Sequence, residues 1–332
     1  MSARLPRVSV ATLGGTITMA PSAPGAGVIP TAEASDLLAV VPGLVAVAEL
    51  HVETLLKKPG ACLDVADVLS VLDWANARVA EGAAGVVVVQ GTDTLEEVAY
   101  LLDLLWAHDE PLVLTGAMRH PAQLSADGPT NLYAAVAAAA YPGCRGLGVT
   151  VVINDEIHAA RRVTKGDTSS LGAFSSGPFG LLGRLHEGRL TVTNRPTRLP
   201  PLPRPPAVGH LVPVLESTLG DRGDMLRLVL QTGAADGVVL AGFGAGHLHE
   251  EAARAIAVNR VPVVFASRTG RGPVFEETYG FPGSERDLIA RGAIPAGWLT
   301  SRQARLLLLL LIANGTTRED LHSTFAAHGG MP

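Results

Sequence analysis

Four consecutive valines, Val86 to Val89, run straight into Gln90-Gly91-Thr92-Asp93-Thr94, and no other stretch restricts the fold of this chain as tightly. An unbroken apolar run bounded by a glycine reads as a strand buried on both faces, the kind found in parallel sheets. Thr94, with Glu97 three residues on, predicts a capping box opening a helix whose apolar positions are Val98, Leu101, Leu102 and Leu105. The segment 85–106 is therefore strand, turn and helix. Such a junction puts side chains at the carboxyl edge of the sheet beside a helix N-terminus, where open α/β folds bind ligands. A cap needs Thr94 alone; the additional Thr92 and Asp93 point to a site.

Similar alternation runs along the rest of the chain. Strands are expected over 8–12, 45–52, 112–114 and 149–153. Helices are expected over 32–41, from Asp64 to near Gly82, and over 131–140, the last capped by Asp127 with Pro129 in its first turn. Residues 19–31 carry prolines, glycines and no apolar period, and read as a loop leaving a strand edge. The stretch 194–206 holds six prolines and three arginines, which neither a helix nor a central strand tolerates. Beyond it, strands are expected over 210–214, 237–240 and 261–266, with helices over 224–231, 249–259 and 302–314. The fold class is α/β in two domains: a larger parallel-sheet domain over 1–190, a proline-rich linker over 191–209 and a smaller α/β domain over 210–332.

Composition removes several function classes. A chain of 332 residues that is 47% hydrophobic and 17% charged has enough apolar material for large cores. Its net charge of −5 supplies no basic footprint, so nucleic acid is not an expected partner. The apolar run 306–313 is too short to cross a bilayer, so no membrane partner is expected. The N-terminus lacks the basic and long apolar regions of a signal peptide, which points to the cytoplasm, although a trimmed export signal would leave the same sequence. Cys62 and Cys144 form no framework or metal pattern and read as two buried free thiols.

Chemical motifs are narrowed by elimination. There is no Gly-x-Ser-x-Gly elbow, no Walker loop and no His-Glu-x-x-His. Gly242-Phe243-Gly244-Ala245-Gly246 lacks the third glycine of a dinucleotide fingerprint, and His247 and His249 have no cysteine or carboxylate cluster to complete a metal site. No metal and no cofactor is expected. What remains is hydroxyls at strand ends. Thr16 follows Gly14-Gly15, where glycines let backbone amides approach a ligand. Lys165 lies in a polar stretch, 161–170, with no apolar period. Taken singly, each has a bland reading: a tight turn, a satisfied loop amide, a solvated lysine. Together they offer a nucleophile, a base to activate it and an anchor for a charged group.

These residues also match a known pattern. Leu13-Gly14-Gly15-Thr16-Ile17 resembles the first signature of the bacterial-type asparaginase/glutaminase family. Gln90-Gly91-Thr92-Asp93-Thr94-Leu95-Glu96-Glu97 is similar to its second, almost letter for letter. Thr115-Gly116-Ala117-Met118-Arg119, with Ser125-Ala126-Asp127-Gly128-Pro129 and Asn131-Leu132, resembles its third block. Residues 161–174 are similar to the lysine-bearing segment and 297–309 to the entrance of the C-terminal helix. Ordered blocks spread over nearly the whole chain are not a coincidence of four letters.

The resemblance implies hydrolysis of L-asparagine to L-aspartate and ammonia through an acyl-enzyme on Thr16, carried by a loop that closes as a lid. It implies a second pair in Thr92 and Lys165, with Asp93 binding the substrate ammonium. Gly60 and Ala61 fall where the family holds the substrate carboxylate, and Ala117 where its third block lines the pocket. It further implies an intimate dimer, commonly within a homotetramer, in which an acidic residue of the neighbouring subunit completes each site; Glu285 is the best match, with Glu276 and Glu277 close by. L-glutamine hydrolysis, hydrolysis of another amino-acid amide, or silent amino-acid binding are the alternatives.

Three departures bear on specificity. The family's lid tyrosine has no counterpart in 19–31; the four tyrosines are Tyr100, Tyr133, Tyr141 and Tyr279. Gly60-Ala61 replaces a carboxylate-binding serine and its polar neighbour, and each lost hydrogen bond to a charged group costs about 1.5–3 kcal/mol. Backbone amides near Gly60, or Lys57 and Lys58, are the candidate substitutes. Finally, Leu13 replaces a small polar residue, and His120 separates Arg119 from the usual proline.

Overall fold

The computed structural model describes residues 4–15, 19–21, 28–30, 41, 43–256 and 261–330, with 19–21 and 28–30 described as backbone. Thr16 and most of the expected helix 32–41 lie outside the described residues. The chain divides into two compact units, Met1–Pro201 and Leu202–Pro332.

In the first unit, β1 (Arg7–Thr12) is followed by a short antiparallel pair, β2 (Met19–Pro21) and β3 (Val28–Pro30). Next come α1 (Leu44–Val47), β4 (Glu49–Thr54), α2 (Val65–Ala80), β5 (Gly85–Val89), α3 (Leu95–Leu105), β6 (Leu112–Thr115), α4 (Gly128–Ala140) and β7 (Val149–Ile153). The expected strand over 45–52 is thus a short helix and then a strand that starts later. After β7 the chain stops crossing over and doubles back through β8 (Glu156–Ala159), β9 (Thr164–Lys165), β10 (Phe174–Ser175), β11 (Gly183–His186) and β12 (Arg189–Val192).

The main sheet has the order β12-β11-β8-β7-β6-β5-β1-β4. Strands β4, β1, β5, β6 and β7 pair in parallel, whereas β8, β11 and β12 form an antiparallel extension. The four valines of β5 are at 0% exposure, as a central strand covered on both faces requires. Val87, Val89 and Val113 share a core with Ala134, Ala135 and Ala138 of α4. Glycine at the start of β5 is what lets that helix lie so close: a Cβ at Gly85 would stand 2.1 Å from the carbonyl oxygen of Ala139. The helix α2 is closed by a capping box between Asp64 and Asp67. Two other expected caps are different. The Thr94 hydroxyl does not cap α3 but donates to the Gly60 carbonyl, 2.9 Å away. Asp127 precedes α4 without capping it by its side chain; its carboxylate instead accepts from the amides of Met118 and Arg119, each at 2.9 Å.

The polyproline stretch after β12 contains no helix or strand, but its arginines are engaged. Arg198 donates to the carbonyls of Trp106 and His108 beyond the end of α3, at 2.6 and 3.0 Å. Cationic groups suit the negative end of a helix.

The second unit is a four-stranded parallel sheet, β13 (Val214–Glu216), β14 (Val238–Gly242), β15 (Val263–Ser267) and β16 (Ile294–Pro295), in that order. Its helices are α5 (Asp224–Thr232), α6 (Glu250–Ile256), α7 (Glu285–Ala290), α8 (Ser301–Ala313) and α9 (Arg318–Gly329). The strand expected over 210–214 begins only at Val214, because Pro213 cannot donate to a ladder. Cys62 is exposed and Cys144 buried, so the expectation of two buried thiols holds for one of them. Among the described residues no helix is long and apolar enough to cross a membrane, and no group of three or more His, Cys, Asp or Glu is placed to hold a metal ion.

Candidate active site

The site is assembled where β1, β5 and β6 end side by side. Ladder-like bonds continue past the strands: the Leu13 amide donates to Val89, the Gln90 amide to Thr115 and the Lys58 amide to Leu13, at 2.9–3.0 Å. These bonds bring the turns at Gly14-Gly15, Gly60, Gly91 and Gly116 into backbone contact. Gly15, at φ +89°, has no room for a side chain, since a Cβ there would sit 2.1 Å from the Gly91 nitrogen. A Cβ at Gly116 would lie 2.6 Å from the Gln90 carbonyl oxygen. Glycine is needed at both positions for steric reasons.

Thr92 and Asp93 occupy the turn between β5 and α3. Thr92 is buried at 6% exposure, whereas the Asp93 side chain stands in the open at 64%. Lys165 reaches them from β9. Its Nζ donates to Thr92 Oγ1 at 3.0 Å and lies 3.4 Å from Asp93 Oδ1. The lysine is held from behind as well, because its backbone N–H donates to the buried Glu96 carboxylate at 2.5 Å. Glu96 lies in the first turn of α3, where a negative charge is favoured.

Chemically, an ammonium against a hydroxyl oxygen stabilises charge developing on that oxygen, and the neutral amine can take its proton. The exposed Asp93 carboxylate beside it is suited to a substrate cation. The arrangement has the chemistry to activate a hydroxyl beside a carboxylate able to hold a cation.

Of the remaining expected residues, Gly60 packs at the site: a Cβ there would be 3.5 Å from Asp93 Cβ and 3.3 Å from the Gly91 carbonyl oxygen. Ala61 follows in a short 3-10 turn and is exposed. Ala117 is completely buried within the core. The Lys58 ammonium is committed to Asp67, at 2.7 and 2.8 Å from its two carboxylate oxygens. Thr16 lies outside the described residues. Glu285 belongs to the second unit and is fully buried there. Its carboxylate oxygens face His247 Nε2 at 3.1 Å and the Tyr279 amide at 2.5 Å. Burial pushes this carboxyl up, but the Tyr279 amide, its own amide and His247 outweigh that and hold it below the usual range. Glu276 and Glu277 are exposed.

Sequence reasoning passes over Glu96 and His247. Glu96 sits beside the expected capping residue Glu97, and nothing in the local pattern separates a carboxylate facing a distant amide from one facing solvent. His247 is weighed in the sequence only as a metal ligand and set aside; in the structure it packs edge-on against Tyr279 and Phe281, at 4.9 and 5.0 Å between ring centres.

The fold and the glycine-lined site with its Thr–Lys pair define an amidohydrolase-type α/β protein. The asparaginase N-terminal domain family matches residues 7–198 and the glutaminase/asparaginase C-terminal domain family residues 211–325. The chain belongs to the asparaginase family. It is 38% identical over 328 residues to a probable L-asparaginase of Deinococcus radiodurans, covering 98% of each chain. It is 32% identical to L-asparaginase 2 of Bacillus subtilis, over 97% of this chain and 86% of that one. Among solved structures, the crystal structure of a probable cytoplasmic L-asparaginase from Campylobacter jejuni superposes with a TM-score of 0.85 at 30% identity, covering 96% of this chain and 99% of the other.

Proposed function

We propose that this chain is an L-asparaginase that releases ammonia from L-asparagine through an acyl-enzyme on Thr16. The observation that carries the reading is the Lys165 Nζ–Thr92 Oγ1 contact of 3.0 Å, set beside the open Asp93 carboxylate. Asp93 neutralises the substrate's α-ammonium and so orients the side-chain amide. The Thr16 hydroxyl attacks the amide carbon, the C–N bond breaks, and the nitrogen leaves as ammonia after taking up a proton. Thr92 and Lys165 then activate the water that cleaves the ester, and aspartate departs. Thr16 is the residue after Gly15, whose backbone touches that of Gly91.

The relatives named above bear the names L-asparaginase or probable L-asparaginase and match over most of their length, which supports the same substrate here. Gly60 leaves the Asp93 neighbourhood without a serine, so the substrate carboxylate is met by backbone amides. The working assembly is an intimate dimer within a homotetramer. The site of action is the cytoplasm, a reading supported by the likeness to the probable cytoplasmic enzyme of Campylobacter jejuni.

The test is ammonia release by the purified protein from L-asparagine, L-glutamine and D-asparagine, with Thr16→Ala in parallel. Turnover of L-asparagine that Thr16→Ala abolishes is the expected result. Tight L-aspartate binding without turnover would make the chain a binding protein. Light scattering reads the assembly directly.

A further inference from the structure

The hairpin that carries Lys165 is too small to hold itself. It has two residue pairs, Phe174 with Lys165 and Ser175 with Thr164, and a lone short hairpin is marginal in water. Three further bonds lie within or just beyond it: the Gly166 amide to the Ala173 carbonyl at 2.7 Å, the Thr164 hydroxyl to the Ser175 carbonyl at 3.3 Å, and the Lys165 amide to Glu96. The β10 side is held from elsewhere. Ser176, the residue after β10, places its hydroxyl 2.9 Å from His158 Nδ1. His158 stands on β8, directly opposite Val151 of β7, and so belongs to the main sheet.

This contact is buried throughout: His158 is at 0% exposure and Ser176 at 3%. Burial, with a smaller contribution from Arg184, lowers the imidazole to about 4, so the ring is neutral near pH 7. Glu156 and Arg184 are the charged groups beside it. Glu156 Oε2 lies 3.5 Å from Nε2, and the other carboxylate oxygen is bound by Arg184 at 2.5 Å. A carboxylate facing Nε2 favours the tautomer with hydrogen on Nε2. Nδ1 then keeps its lone pair, and the Ser176 hydroxyl donates to it.

We propose that His158 is a positioning residue for Lys165: by accepting from Ser176 it fixes β10, and through it β9, so that Nζ meets Thr92. The proposal rests on the Thr92–Lys165 reading of the site. The antiparallel extension of the sheet then has a function, because β8 supplies a rigid wall to which the lysine hairpin is pinned. Displacement of a reacting group by about 1 Å costs on the order of 100-fold in rate, so loss of the pin reads out in kcat before it reads out in binding.

The experiment compares wild type, Ser176→Ala, Ser176→Thr and His158→Gln by kcat and KM for L-asparagine. The Lys165 ammonium titration is followed in parallel by lysine side-chain 15N NMR. Ser176→Ala is expected to lower kcat at least about 10-fold with KM within about twofold and to shift the Lys165 titration, while Ser176→Thr, which keeps the hydroxyl, restores both. An unchanged kcat and titration in Ser176→Ala overturns the proposal, as does a loss that Ser176→Thr fails to rescue. If the wild type does not hydrolyse L-asparagine, the functional reading fails instead, and the titration shift alone decides whether His158 positions the lysine.

Discussion

Lys165 Nζ and Thr92 Oγ1 are 3.0 Å apart although 73 residues separate them in the chain. Two unrelated pieces of architecture meet in that contact. Thr92 belongs to the tip of a central parallel strand, and Lys165 to a two-pair hairpin within the antiparallel half of the chain. The same lysine stands 3.4 Å from Asp93, so the hydroxyl, the ammonium and the carboxylate form one small electrostatic unit.

Asp93 is the exposed member and is assigned to the substrate ammonium. Asp93→Asn keeps the shape and removes the charge. A hydrogen bond to a charged group is worth about 1.5–3 kcal/mol, so KM for L-asparagine should rise roughly 10- to 100-fold. Steady-state kinetics checks this. A KM within twofold of wild type would remove Asp93 from substrate binding.

Gly15→Ala should abolish activity and lower the thermal midpoint, because its Cβ would meet the Gly91 backbone at 2.1 Å with φ at +89°. Gly146→Ala is the matched control: its φ is +73°, yet nothing lies within 4 Å of its Cβ. Strain from a left-handed backbone alone costs about 1 kcal/mol, and the control should show only that. Calorimetry of both variants separates crowding from strain.

Thr94→Val removes the hydroxyl that binds the Gly60 carbonyl and leaves the start of α3 otherwise intact. Loss of a neutral hydrogen bond of this kind costs about 1 kcal/mol. A true capping residue replaced by an apolar one would expose helix fraying; here hydrogen exchange should instead quicken around Gly60, with the first turn of α3 unchanged.

His158 makes the fold acid-sensitive. Unfolded, it protonates near the ordinary value of 6.5; folded, burial and the nearby Arg184 lower it to about 4. The folded-state value is the lower one, so the unfolded chain binds the extra proton between these two points. The stability is therefore fully present above about pH 6.5 and is lost as pH falls toward 4, by on the order of 3 kcal/mol. Urea melts between pH 7 and 4.5 should show this slope in the wild type and its absence in His158→Gln, with Glu156 and Arg184 retained.

The centre of the parallel sheet was legible because β5 and β6 are built on continuous apolar runs and the turns after them carry glycine beside hydroxyls. Val86 to Val89 and Leu112 to Leu114 cannot be read otherwise. The antiparallel extension was not legible. Strands β8 to β12 are two to four residues long, too short to show an alternation, even though Asn154 and Asp155, both at positive φ, suit the turn between β7 and β8. Lys165 reads as a loop lysine because its strand is two residues long, held by pairing with Phe174 and Ser175 and by the tertiary bond to Glu96, which leave no local period. Thr94 and Asp127 are legible as helix-start residues, but their side chains are taken by partners elsewhere in the fold. Glu285 is singled out by the resemblance, but its burial is not legible: a lone glutamate predicts exposure, and only the fold supplies the His247 and Tyr279 amide that bind it.

The central claim is that Thr92 and Lys165 act as one catalytic unit. The most direct measurement is kcat for L-asparagine in wild type, Thr92→Val, Lys165→Met and the double variant. The account predicts that each single change lowers kcat by about 10²- to 10⁴-fold and that the double variant is no worse than the poorer single one. Single variants within threefold of wild type, or losses that multiply in the double variant, would contradict it.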